Sequence, residues 1–126
     1  QEIMQLKIAV YEDYVTGNYA GMVEKLSFAC EMNFKALDEE YAIRILNVLA
    51  DAGVNREVLK SGIDLLNRLV GKKKTGSVNY YSVLGRLYLL YGDEELGNKY
   101  KRMGDKIEAE RMERYGDLMK SFMKEK

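Results

Sequence analysis

The sequence predicts an all-α protein built from about three helix-turn-helix hairpins. Three observations point there. Apolar residues recur at i, i+3, i+4 and i+7 through most of the chain, the signature of amphipathic helices. None of the 126 residues is proline, so nothing interrupts long helices by removing a backbone donor. The turn glycines Gly17, Gly53 and Gly92 lie 36 and 39 residues apart, a period typical of stacked helical hairpins. The expected count is six to seven helices with no sheet, and the three glycines are expected in the left-handed region that ends helices.

The first hairpin, about residues 1–35, reads Leu6, Ala9, Val10 and Tyr14, then the turn Thr16-Gly17-Asn18, then Met22, Val23, Leu26, Ala29 and Cys30. The second, about 38–71, opens at Asp38. Its carboxylate can accept from the free N–H groups of a first helical turn. Glu39 and Glu40 follow, where the helix dipole favours negative charge. Ala42, Ile45, Leu46, Leu49 and Ala50 form its apolar line, Gly53 its turn, and Asn55 the cap of a helix carrying Leu59, Ile63, Leu66 and Val70. A polar run, Gly71 to Ser77, is the most loop-like stretch. The third hairpin, about 77–107, carries Tyr81, Leu84, Leu87, Tyr88 and Tyr91, the turn Gly92-Asp93, and Leu96, Tyr100, Met103 and Ile107. The apolar set then changes phase to Met112, Tyr115, Met119 and Phe122, which predicts a further helix over about 108–124. Gly104 leaves one helix or two open.

Composition excludes several functions. Twenty basic and twenty acidic side chains balance, so no positive field is available for nucleic acid. Histidine is absent, which removes Ser-His-Asp and Cys-His catalysis and His-ligated metal within this chain. The single cysteine, Cys30, can build neither an internal disulfide nor a Cys-rich zinc site, and its place on a helix face reads as a buried small hydrophobe. No apolar run reaches the length of a membrane span. Gly71 to Gly76 has the G-x-x-x-x-G spacing of a phosphate loop, but Ser77-Val78 stand where Lys-Ser/Thr is required. The acidic pairs Glu39/Glu40 and Glu94/Glu95 fit helix starts better than acid–base chemistry. No cofactor is implied and no enzyme is expected. The start at Gln1 predicts a piece of a longer chain.

Tyr81, Leu84-Gly85, Tyr88 and Gly92-Asp93 resemble the first helix and turn of a tetratricopeptide repeat (TPR). Ala9, Gly17-Asn18-Tyr19 and Ala29 fit the same pattern in the first hairpin, and Ala42, Ile45 and Gly53 in the second. The resemblance covers most of residues 1–107. It implies a right-handed, TPR-like stack of hairpins, a concave face lined by the first helix of each, and a closing role for 108–124 as a capping helix. That face usually holds a peptide or a partner's helix. Taken in register, it carries Lys7, Ile8, Tyr11, Arg44, Asn47, Asp51, Asn79, Val83 and Arg86.

Six of these are the candidate binding residues: Lys7, Tyr11, Arg44, Asn47, Asn79 and Arg86. Tyr11 offers packing area with little entropy to lose. Arg44 and Arg86 offer charged donors to a carboxylate or a backbone carbonyl. The family's clamp for a C-terminal carboxylate is matched only at Lys7, because Tyr11, Arg44, Asn79 and Val83 replace its other residues. The expected function is therefore a non-catalytic scaffold for a protein or peptide other than such a tail. Two alternatives stay open: an accessory domain of a larger enzyme or exported redox protein, and a helical module that forms homodimers.

Overall fold

A computed structural model describes residues 2–32, 39–70 and 76–124. Among the described residues every regular element is helical: α1 (Glu2–Thr16), α2 (Tyr19–Glu31), α3 (Glu39–Asn47) extended by a 3-10 turn (Val48–Ala50), α4 (Arg56–Val70), α5 (Val78–Tyr91) and α6 (Glu94–Lys124). Asp38 and most of the polar run, 71–75, lie outside the described residues. Consecutive helices pair as α1 with α2, α3 with α4 and α5 with α6. The pairs join through α2 on α4, and through α3 and α4 on α5.

Short polar side chains start the helices. Asn18, Asn55, Ser77 and Asp93 accept hydrogen bonds from the backbone N–H three residues on, at Gly21 (3.1 Å), Val58 (2.9 Å), Tyr80 (3.1 Å) and Leu96 (3.1 Å). Each bond satisfies a donor that has no partner inside its helix. Gly17, Gly53 and Gly92 all have positive φ, at 75°, 67° and 105°. At Gly92 the turn is closed by the Asp93 and Gly92 N–H groups, which both donate to the Tyr88 carbonyl at 2.9 and 3.1 Å. This reversal uses a left-handed residue, which a side chain would strain.

One apolar core runs through the pairs. Val10, Met22, Val23 and Leu26 meet Leu59, Ile63, Leu65 and Leu66, which meet Leu46, Leu49, Leu84 and Leu87. Fully burying each such side chain contributes roughly 1.5–3 kcal/mol, so this cluster holds the hairpins together. Tyrosine closes the other end. Tyr81 and Tyr100 stack with centroids 6.1 Å apart, Tyr88 and Tyr100 at 5.7 Å, and Tyr80 meets the edge of Tyr81 at 5.2 Å. Asn67 of α4 ties into this group by accepting from the Tyr80 hydroxyl (3.3 Å) and donating to that of Tyr88 (3.4 Å).

Four details differ from the sequence expectation. Ile43 is buried while Ile45 is only half-buried, because α5 covers that flank of α3. Tyr14 stands off the core at 44% exposure and packs on Tyr11 instead. Cys30 is half-buried rather than enclosed. The segment expected as a separate cap is the second half of α6, and Gly104 sits in mid-helix against Tyr81. Met112, Tyr115, Met119 and Phe122 are exposed there, because α6 keeps straight past the start of α5 instead of folding back.

Candidate functional site

Arg44 and Asn47 sit three residues apart on α3, so both point from one face of that helix. Asn79, Ser82 and Arg86 repeat at three, four and seven residues on α5, again one face. The two faces meet across a shallow cleft of about 330 Å³ floored by Ile43 and Val83. Ile43 and Val83 are almost fully buried, whereas Arg44, Asn79, Ser82 and Arg86 are exposed. The cleft therefore has an apolar floor and polar, cationic walls. Val83, read from the sequence as a surface position, belongs to the core.

Arg86 is held from two sides. Its guanidinium donates to Asn47 Oδ1 at 2.8 Å and to Asp51 Oδ1 at 3.0 Å. A guanidinium carries five donors, so these bonds orient it and leave others facing outward. Asn79 Nδ2 donates to Glu40 Oε2 at 3.2 Å. Glu40 therefore faces Asn79 across the α3–α5 gap, and no salt bridge between Glu40 and Arg44, one turn away, is formed among the described residues.

The other two expected residues lie elsewhere. The Lys7 ammonium sits over the Tyr41 ring, 4.5 Å from its centroid, which links α1 to α3. Tyr41 is partly covered, and that burial raises the pKa of its phenol. Tyr11 is exposed and packs against Tyr14, with 6.4 Å between centroids. Neither residue lines the cleft. Sequence reading passed over Ser82, although its spacing from Asn79 and Arg86 placed it on the same face.

The cleft holds arginine and asparagine donors and the Ser82 hydroxyl. Among the described residues no group of three His, Cys, Asp or Glu side chains could hold a metal ion, and no helix is long and apolar enough to cross a membrane. Compared with protein-family models, curated proteins and solved structures, the chain gives no match.

Proposed function

We propose that the chain is a non-catalytic, TPR-like interaction module that binds an extended segment of another protein along the α3–α5 cleft. The observation that supports this most is the convergence of Arg44, Asn47, Asn79 and Arg86 on one open cleft. Those residues offer donors and amide groups suited to a peptide backbone or an acidic side chain. The apolar floor gives a small side chain somewhere to settle. Hydrogen bonds to charged groups contribute about 1.5–3 kcal/mol each, so two arginines are enough to set orientation.

The test begins with affinity capture by the intact chain, followed by binding measurements on the partner recovered. Arg44→Ala and Arg86→Ala should each weaken binding by roughly 10- to 100-fold. Melting midpoints should stay close to wild type, since both side chains are solvated. If both variants bind at wild-type affinity, the cleft is not the site. If Arg86→Ala lowers only the melting midpoint, its bonds to Asn47 and Asp51 serve packing alone.

A further inference from the structure

Among the described residues, no other element covers the second half of α6. From Ala109 to Lys124 every residue is exposed except Gly116, which is half-covered. At 1.5 Å per residue this is about 24 Å of projecting helix. Isolated helices of that length are marginal in water. Met112, Tyr115, Met119 and Phe122, spaced three, four and three, are 60, 59, 44 and 61% exposed. That spacing is the seam of a helix pair.

A groove of about 400 Å³ lies between α5 and α6, lined by Val78, Ser82 and Leu89 on one side and Lys101, Gly104 and Glu108 on the other. Positions 101, 104, 108, 112, 115, 119 and 122 follow one another at three- and four-residue steps. The α6 wall of the groove and the exposed stripe are therefore one continuous face of one helix.

We infer that two copies of this chain associate through that face, with their α6 helices antiparallel and each stripe seated in the other copy's α5–α6 groove. A two-fold axis near residue 110 places Met112 against the second copy's Glu108, Tyr115 against its Asp105 and Met119 against its Lys101. The Tyr115 hydroxyl then has a carboxylate to donate to. Arg111 and Arg114 come near the acidic end of the groove formed by Asp105 and Glu108. Met119 lies on the aliphatic stem of the lysine. The same patch serves both sides, so the contact closes at two copies instead of growing into a fibre.

The stripe together with Leu118 and Met123 exposes apolar side chains worth about 600 Å² per copy, and both copies together reach the roughly 1,200 Å² at which stable interfaces begin. The pairing rests on different observations from the α3–α5 cleft, which borders the groove only at Ser82 and Arg86.

Sedimentation velocity on the full chain, from micromolar to submillimolar concentration, tests the association. A monomer–dimer equilibrium is expected. Met119→Lys should raise its dissociation constant at least about tenfold, because a second ammonium would be set against the other copy's Lys101. Its melting midpoint at the lowest concentration should match wild type, since the site is solvent-facing in the single chain. Orientation is read by oxidative cross-linking in a Cys30→Ser background. A mixture of Glu108→Cys and Met112→Cys chains should form a disulfide-linked dimer, while Met112→Cys alone should not. A wild-type monomer at all concentrations overturns the inference. So does a Met119→Lys dimer of wild-type affinity, larger assemblies without a dimer, or efficient cross-linking of Met112→Cys alone, which would mean parallel helices.

Discussion

Tyr88 and Tyr100 stack across the α5–α6 contact with their ring planes 14° apart. Tyr100 also stacks on Tyr81 at 11°, so a single residue of α6 lies between two rings of α5. Offset aromatic pairs contribute about 0.5–1.5 kcal/mol beyond the area they bury. This arrangement is why α6 leaves the Gly92 turn already aligned along α5.

Removing that ring should be costly. Tyr100→Ala is expected to lower stability by about 2–4 kcal/mol, near the lower part of the range for aromatic truncation, because the residue is half-buried. Tyr100→Phe keeps both stacks and should stay within about 1 kcal/mol of wild type. Urea unfolding at fixed protein concentration measures both. Equal losses for the two variants would mean that the hydroxyl, not the stacking, matters.

High pH should loosen the same region. The Tyr80 phenol is pushed up to about 12, first by burial and then by the Tyr100, Tyr81 and Tyr88 phenols and the Glu39 carboxylate. Burial, with Tyr88 and Tyr81 adding to it, moves Tyr100 in the same direction. In an unfolded chain a tyrosine titrates near 10, so the folded state holds its proton longer. Below pH ~10 the contribution is complete; between about 10 and 12 the unfolded state alone loses its proton, and about 2–3 kcal/mol of stability disappears. Phenolate absorbance against pH, for wild type and Tyr80→Phe, should show one late-titrating tyrosine missing from the variant. The variant's stability should also fall less steeply in this range.

Gly85 is held to glycine by backbone, not by conformation. A Cβ there would meet the Gly97 carbonyl oxygen at 3.0 Å and the Lys101 nitrogen at 3.3 Å. Neither atom can swing aside. Gly85→Ala gains about 1 kcal/mol in helix propensity and loses about 1–3 kcal/mol to overpacking. A net drop in the melting midpoint is expected, and a rise would show that α6 can shift outward at little cost.

Arg86 should matter little for stability. Its ion pair with Asp51 joins two exposed side chains, at 44 and 77%, and such pairs contribute at most about 1 kcal/mol. Arg86→Ala should therefore melt within a few degrees of wild type, while high salt narrows even that difference. A loss above about 2 kcal/mol would assign the residue to the fold.

Ending the chain after Ala109 should leave the rest intact. The discarded residues are exposed, so at concentrations where the chain is single the melting midpoint should barely move. Thermal melts across a dilution series separate this from association. A large drop at the lowest concentration would show that 110–124 covers the core after all.

The helical class and the turns were legible because their causes are local. Positive φ demands glycine at Gly17, Gly53 and Gly92, and a side-chain acceptor at Asn55 starts a helix whatever lies nearby. The flank of α3 that is buried was not legible. Ile43 and Ile45 lie on either side of the Ala42–Leu46 line, and only the position of α5 decides between them. The last stripe shows the same limit. Met112 to Phe122 has the periodicity of a packed face, but periodicity does not say whether the partner belongs to the same chain. For the cleft, spacing within α3 and within α5 grouped Arg44 with Asn47 and Asn79 with Arg86. Placing Lys7 and Tyr11 with them required the inter-helix geometry, which the residues of α1 do not encode alone.

The close seating of α5 on α6 has a mechanical consequence. Backbone touches backbone where Gly85 and Gly97 face each other, and the tyrosine stack grips α6 a turn further on. The projecting half of α6 is thus a lever fixed at one end, about 24 Å long. A tilt of only about 10° at the fixed end swings the tip through roughly 4 Å, about three-quarters of the rise of one helical turn. A disturbance at the tyrosine stack would be magnified at Phe122, far from where it began.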